Sequence, residues 1–86
     1  MTIEVYTTGP GCQKCRATKR RLKNRDDVTI HNLVTDGEPE HVTRLLADMR
    51  AAGKPVVAPV VIVRDGETVS DWWTDFRPDK IEALAR

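Results

Sequence analysis

The chain contains two cysteines, Cys12 and Cys15, with two residues between them. They follow a short apolar run and open a stretch of helical composition, so both side chains fall on one side of the first turn and can close a disulfide. At the start of a helix, Cys12 faces unpaired N–H groups and the positive end of the helix dipole, which favour thiolate over thiol. The spacing therefore predicts thiol–disulfide exchange, in which Cys12 attacks a substrate disulfide and the more shielded Cys15 resolves the mixed disulfide.

Two other uses of the cysteine pair stay open at this point. The pair could supply half of a zinc site, although the sequence has no second cysteine pair, and His31 and His41 lie further apart than zinc ligands usually do. A purely structural disulfide would close a very small loop, where the constraint on the unfolded chain is weakest. The sequence favours redox chemistry over both.

Length, composition and charge restrict the class of protein. The 86 residues suffice for one small domain, residues 1–86, with one core. A hydrophobic content of 40%, a charged content of 31% and a net charge of +1 give no overall drive toward nucleic acid or a membrane. Met1 leads directly into a strand pattern, which predicts no signal peptide, and no apolar run reaches membrane-spanning length. We therefore expect a cytoplasmic protein, where a lone cysteine pair is catalytic rather than structural.

Basic residues are concentrated around and just after the cysteines. Half of the chain's 14 basic residues lie in this stretch: Lys14, Arg16, Lys19, Arg20, Arg21, Lys23 and Arg25. Such a cluster forms either a solvated helix face or a docking surface for an acidic partner. Because the cluster borders Cys12, its charge would also help to hold a thiolate.

The elements that must position the cysteines are a strand and a helix. The segment from Thr2 to Tyr6 has the β-branched and aromatic residues typical of a strand, and the strand ends at the turn Gly9-Pro10-Gly11. A helix is predicted from Cys12 to about Asn24. Its apolar stripe is thin and consists of Cys15, Thr18 and Leu22, with Ala17 beside it.

Five further elements are predicted along the chain. They are a strand at Val28 and Ile30 that extends to Leu33 and Val34, a helix that begins at Pro39 and stops at Gly53, a strand across Val56–Val63, a returning strand from Thr68 to Trp73, and a last helix from Pro78. The first of these helices buries Val42, Leu45, Leu46 and Met49, and the last buries Ile81, Leu84 and Ala85. His41 lies on the polar side of its helix and is expected to be solvated.

Pro59 interrupts the apolar run of the predicted third strand, which otherwise suits a strand buried on both faces. Such a break is tolerated where the chain bulges or takes a cis peptide bond. Asp65-Gly66 then predicts a hairpin turn between the last two strands. The elements read βαβαββα, an α/β order in which strands joined through a helix are parallel and the final hairpin is antiparallel.

With its elements in this order, the sequence resembles the thioredoxin superfamily and, within it, the glutaredoxin-like NrdH-redoxins. The likeness covers nearly the whole chain and lies in Val5-Tyr6-Thr7, Cys12-Gln13-Lys14-Cys15, Ala17-Thr18-Lys19-Arg20, Ala58-Pro59-Val60-Val61 and Trp73-Thr74-Asp75-Phe76-Arg77-Pro78-Asp79. The resemblance implies the thioredoxin fold, a four-stranded mixed sheet flanked by three helices. It also implies that Pro59 is cis, lies opposite the cysteines and keeps metals out of the site.

The resemblance further implies a function. Its members accept electrons from thioredoxin reductase and pass them to a class Ib ribonucleotide reductase, so we expect a monomeric dithiol carrier with no cofactor beyond a redox-active Cys12–Cys15 disulfide. Ala58 and Pro59 would bind the substrate. Candidate partner contacts are Gln13, Lys14, Trp73, Phe76 and Arg77. For the aromatic residues, packing of the last strand on the final helix is an equally good explanation.

The chain departs from the family pattern in two places. Thr74-Asp75 stands where the family usually has Ser-Gly, so we expect a relaxed glycine conformation or altered hydrogen bonds. The segment Thr7-Thr8-Gly9-Pro10-Gly11 lacks the basic residue that glutaredoxins commonly use for glutathione, which weakens glutathione binding. The alternatives that stay open are a glutathione-coupled glutaredoxin, a zinc or iron–sulfur binding module, and an adaptor that docks through the basic helix.

Overall fold

A computed structural model describes residues 1–9 and 11–84 of the chain. Pro10 of the predicted turn and Ala85 of the predicted last helix lie outside the described residues. The elements follow in the order β1 (Thr2–Thr7), α1 (Gln13–Leu22), β2 (Val28–Asn32), α2 (Leu33–Asp36), α3 (Glu40–Ala51), β3 (Val60–Asp65), β4 (Thr68–Thr74) and α4 (Pro78–Leu84). Among these residues, no helix is long and apolar enough to cross a membrane.

The four strands form one mixed sheet in the order β2-β1-β3-β4. β1 runs parallel to β2, as expected for two strands joined through α1, and β3 runs antiparallel to both β1 and β4. The predicted mixed four-stranded sheet is therefore confirmed. Tyr6 pairs with Val60, and Val60 pairs with Thr74. This register brings the end of β1, the start of β3 and the end of β4 together at one end of the strands, which we call the site edge.

The predicted second strand is too long. Leu33 and Val34 do not extend β2 but begin the short helix α2. The cause is Asn32, whose side-chain oxygen accepts the N–H groups of Val34 at 2.8 Å and Thr35 at 3.2 Å and so caps a helical turn. Residues 1–9 and 11–84 therefore contain four helices instead of the predicted three, in the element order βαβααββα.

Each face of the sheet carries its own core. One cluster, covered by α1 and α4, comprises Ile3, Val5, Leu22, Val61, Val63, Trp73 and Ile81. The other, covered by α3, comprises Tyr6, Val42, Leu46, Val60 and Ile62. β3 contributes alternate residues to both clusters, which confirms a strand buried on both faces. It begins only at Val60, after the cis peptide bond between Ala58 and Pro59, so Val56 and Val57 lie outside the strand.

A polar network crosses the core under α3. Tyr6 donates its hydroxyl to Glu4 Oε1 at 2.9 Å, and His41 Nε2 lies 2.9 Å from the Tyr6 hydroxyl and 3.1 Å from Glu4 Oε1. Arg64 Nε lies 3.3 Å from the other Glu4 oxygen. The His41 side chain stays 39% exposed on the polar side of α3, and it also contacts the hydroxyl of Tyr6 and the carboxylate of Glu4, which the sequence did not indicate.

This network makes stability depend on pH. Burial opposes ionisation of Glu4, but the hydrogen bonds from Tyr6 and His41 and the charge of Arg64 outweigh it and lower the pKa of Glu4. A carboxylate with a lowered folded-state pKa stabilises the fold above its unfolded pKa, and this contribution is lost as pH falls through the folded value. We expect Glu4→Gln to lower the free energy of unfolding by about 1 kcal/mol at pH 7.

The difference between wild type and Glu4→Gln should shrink as the pH is lowered below the ordinary glutamate value of 4.5. Urea unfolding from pH 7 to pH 3 measures it. Glu67→Gln is the matched control, because Glu67 is exposed in the turn between β3 and β4. An equal loss for Glu4→Gln at both ends of this range would contradict a role for the carboxylate charge.

Candidate redox site

The two cysteines lie at the start of α1 on the site edge and form a disulfide. Cys12 is the residue that caps the helix, with extended backbone angles, and Cys15 lies in the first turn. Their Cα atoms are 5.2 Å apart, within the range that a disulfide requires. The predicted bond between Cys12 and Cys15 is therefore present in the structure.

The two sulfur positions differ in accessibility. Cys15 is 1% exposed and belongs to the buried stripe of α1, together with Thr18 and Leu22. Cys12 is partly exposed, because the turn before α1 leaves its side chain at the surface. This asymmetry suits Cys12 for attack on a substrate sulfur and Cys15 for resolution of the mixed disulfide.

The surroundings of Cys12 favour a thiolate. The N–H of Cys15 points at Cys12 Sγ, with a donor–acceptor distance of 3.2 Å, so the helix supplies a hydrogen bond to this sulfur. The first turn of α1 contains no acidic residue. A negative charge on Cys12 is stabilised there by the backbone N–H groups and by the positive end of the helix dipole.

The segment around Pro59 leads into β3 at the site edge. Pro59 is buried, its peptide bond with Ala58 is cis, and it precedes Val60, the first residue of β3 at the site edge. The carbonyls of Val57 and Pro59 both accept from the N–H of Asp75, at 2.9 and 3.0 Å. Ala58 lies between them, and its backbone makes no hydrogen bond within residues 1–9 and 11–84. That the N–H and carbonyl of Ala58 pair with an extended substrate segment stays a prediction.

Asp75 is the site residue that sequence reasoning missed. It lies in the left-handed region, which glycine adopts most easily, with φ of 75°. Its Oδ1 accepts the N–H of Phe76 at 2.7 Å and lies 2.8 Å from the ammonium of Lys14. The hydrogen bond from Lys14, followed by that from Phe76, lowers the pKa of Asp75. The only signal in the sequence was the departure from Ser-Gly.

The other candidate contact residues have different surroundings. Gln13 and Lys14 are exposed in the first turn of α1, beside Cys12. Trp73 is 4% exposed and belongs to the core under α1 and α4, while Phe76 packs on that core with Arg21 over its ring. Arg77 is exposed and pairs with Asp79. The structure thus brings Gln13 and Lys14 to the site surface and places Trp73 inside the fold.

The described residues contain no group of three or more His, Cys, Asp or Glu side chains arranged to hold a metal. His31 is not near a ligand set but stacks on Tyr6, with ring centroids 4.8 Å apart. The chemistry that this arrangement supports directly is exchange between the cysteine pair and another disulfide.

Comparison with known proteins gives matches in sequence and in structure, although no family model matches the chain. The chain is 39% identical to the glutaredoxin-like protein NrdH of Escherichia coli K12 over 85 residues, which are 98% of this chain and 89% of that protein. The same values hold for glutaredoxin-like protein NrdH of Shigella flexneri. Among solved structures, it is similar to the NrdH-redoxin of Escherichia coli, with a TM-score of 0.61 and 35% identity over 98% of this chain and 95% of that one.

Proposed function

Because this chain belongs to the glutaredoxin-like NrdH proteins, we propose that it carries electrons from thioredoxin reductase to a protein disulfide of a class Ib ribonucleotide reductase. It is a thiol–disulfide oxidoreductase of the thioredoxin fold. The observation that supports the proposal most is the partly exposed Cys12 at the helix start, bonded to the buried Cys15. The same pair can be reduced by one protein and oxidised by another, as a carrier requires.

The reaction follows from these positions. In the reduced carrier, the Cys12 thiolate attacks one sulfur of the acceptor disulfide; that S–S bond breaks, and the second acceptor sulfur leaves as a thiolate that takes up a proton. Cys15 then loses its proton and attacks Cys12 Sγ, which releases the first acceptor sulfur as a thiol. The acceptor gains two electrons, and the carrier is left with the Cys12–Cys15 disulfide. The reductase returns two electrons to this disulfide.

Two observations support thioredoxin reductase over glutathione as the electron source. The solved relative is described as a glutaredoxin-like protein with a thioredoxin-like activity profile. In this chain, the segment from Thr7 to Gly11 before Cys12 carries no basic side chain for a glutathione carboxylate. A glutathione-coupled glutaredoxin remains the second candidate, because the cysteine pair alone suits both.

A paired reductase assay tests the proposal. Oxidised insulin and then ribonucleotide reductase serve as acceptors, and electrons come from NADPH through thioredoxin reductase or through glutathione reductase and glutathione. We expect turnover with thioredoxin reductase and at most a few per cent of it with glutathione. Robust turnover with glutathione alone would overturn the proposal. Cys12→Ser measures the background.

The basic face of α1 predicts how this carrier meets its partners. Arg16, Lys19, Arg20 and Lys23 recur at helical spacing, are exposed and form no ion pair within the described residues. No Asp or Glu occurs between Glu4 and Asp26 to balance them. We propose that an acidic partner surface approaches this face. Arg16→Glu with Arg20→Glu should lower kcat/KM for a protein partner about tenfold at low salt.

Three controls accompany this prediction. The loss should shrink as ionic strength rises, because salt screens exposed charges. Reduction of bis(2-hydroxyethyl) disulfide, a small neutral acceptor, should not change. Lys54→Glu, an exposed charge reversal after α3, should leave kcat/KM for the protein partner unchanged. An equal loss with Lys54→Glu would indicate a net-charge effect instead of docking.

We further propose that the carrier acts as a monomer in the cytosol, binds neither nucleic acid nor membranes, and uses no cofactor beyond its own disulfide. A reducing compartment keeps a dithiol carrier supplied with electrons. Metal analysis and a visible spectrum of anaerobically purified protein test the last point. A metal-free, colourless protein with two titratable thiols is expected, and bound zinc or an iron–sulfur spectrum would contradict it.

A further inference from the structure

Asp75 joins the loop after β4 to the segment before β3 through its backbone. It follows β4 with φ of 75°, a conformation that few residues other than glycine adopt and that Asp and Asn tolerate best. Its N–H is shared between the carbonyls of Val57 and Pro59, on either side of Ala58. The loop after β4 is thereby tied to the segment around the cis proline.

The side chain of Asp75 makes the second connection. Its Oδ1 accepts from the N–H of Phe76 at 2.7 Å, which fixes the carboxylate over the loop, and the same oxygen lies 2.8 Å from Lys14 Nζ. The side chains of Lys14 and Asp75 are 52% and 40% exposed, so their ion pair contributes little to stability. The consequence of the ion pair is instead the position of the Lys14 ammonium, which lies beside the Asp75 carboxylate.

The segments around Cys12 carry few charges. The residues from Thr7 to Gly11 are uncharged, as are those from Val57 to Pro59. α1 contributes Lys14 and Arg16, and the loop after β4 contributes Asp75 and Arg77. Arg77 is already paired with Asp79. Lys14 lies between the two cysteines in the sequence and is the cation that Asp75 holds, so its position affects the charge on Cys12 Sγ.

We propose that Asp75 is a positioning residue for thiol–disulfide exchange: it holds the Lys14 ammonium on the loop after β4 and thereby limits the fraction of Cys12 present as thiolate. Released from Asp75, the long side chain of Lys14 is free to approach Cys12 Sγ and stabilise the thiolate. A more stable thiolate stabilises the reduced carrier, which makes it a weaker reductant and its sulfur a poorer nucleophile. By holding Lys14, Asp75 thus keeps the reduced carrier a stronger reductant than it would be without this ion pair. The inference rests on the proposed function only in taking Cys12 as the attacking sulfur.

Asp75→Asn tests this inference. Asparagine keeps an oxygen for the Phe76 N–H and tolerates the positive φ, but it removes the charge that holds Lys14. The readout is the rate at which iodoacetamide alkylates Cys12 in the fully reduced protein, measured between pH 5 and pH 9 and located by mass spectrometry. Below the Cys12 pKa, we expect alkylation about twofold to threefold faster than in wild type. In a glutathione redox buffer, the variant should also be reduced more readily.

Two further variants test whether Asp75 acts through Lys14 and not through the loss of a carboxylate in general. Asp71→Asn is the matched control: Asp71 also accepts the next N–H in the chain, from Trp72 at 2.8 Å, and pairs with a lysine, Lys80, at 3.1 Å, but it does not contact Lys14. It should leave the alkylation profile unchanged. In a Lys14→Gln background, Asp75→Asn should have a clearly smaller effect, because no ammonium remains to be released.

Two results would overturn the inference. One is an alkylation profile for Asp75→Asn that matches wild type. The other is an equal acceleration with and without Lys14, which would mean that the charge of Asp75 acts directly on Cys12. Asp75→Gly, which adopts a positive φ freely, replaces Asp75→Asn if the latter does not fold. The alkylation assay requires neither a reductase nor an acceptor protein. Its result therefore stays interpretable even if thioredoxin reductase does not reduce this protein in the paired assay.

Discussion

Replacing Cys12 by serine is expected to lower disulfide reduction by about three orders of magnitude or more, to the level of the uncatalysed exchange. Cys12 is the accessible sulfur at the start of α1 and the one that receives the Cys15 N–H at 3.2 Å, so its loss removes the attacking thiolate. Cys15→Ser should also stop turnover, but at a later step. The attack on the acceptor still occurs, and the mixed disulfide through Cys12 then persists because no second thiol resolves it.

Non-reducing electrophoresis and mass spectrometry of each variant after incubation with oxidised insulin distinguish the two outcomes. A covalent adduct through Cys12 should accumulate with Cys15→Ser and be absent with Cys12→Ser. Both variants should remain folded, because serine is close to cysteine in size. An adduct formed only by Cys12→Ser would reverse the assigned roles, since Cys15 would then be the attacking residue.

Trp73→Ala is expected to lower the free energy of unfolding by about 3–5 kcal/mol. Trp73 is 4% exposed, and its ring packs in the same cluster as Val5, Leu22 and Ile81, where removal leaves a large cavity between the sheet and its helices. Since small domains are stable by only about 5–15 kcal/mol, much of the protein's stability would be lost. Urea unfolding measures the effect.

Two comparison variants accompany Trp73→Ala and help to distinguish support of the fold from contact with a partner. Trp73→Phe should be much milder, because a ring is retained and the indole Nε1 has no hydrogen-bond partner within the described residues. Arg77→Ala should leave stability almost unchanged, because Arg77 is exposed and pairs only with Asp79 there. Unchanged stability of Trp73→Ala with impaired reduction of a protein acceptor would favour the partner contact.

Much of the fold was predictable because it depends on residues close together in the chain. The apolar stripe of α1 is buried as its spacing indicated, and so are Val42 and Leu46 of α3. The Asp65-Gly66 turn joins β3 and β4 as expected, with Gly66 at φ of 65°. The second strand was predicted too long for an equally local reason, since the capping capacity of Asn32 competes with the strand propensity of the residues after it.

The sequence by itself determined the pair of cysteines, their place at a helix start and the alternation of strands and helices, because these follow from spacing and periodicity within a few residues. Only the tertiary structure decided that Asp75 meets Lys14 and that His41 meets Glu4 and Tyr6. These contacts join residues far apart in the chain, and they exist because the sheet register and the packing of α1 and α3 bring their side chains within hydrogen-bonding distance. No local pattern in the sequence encodes such a distance.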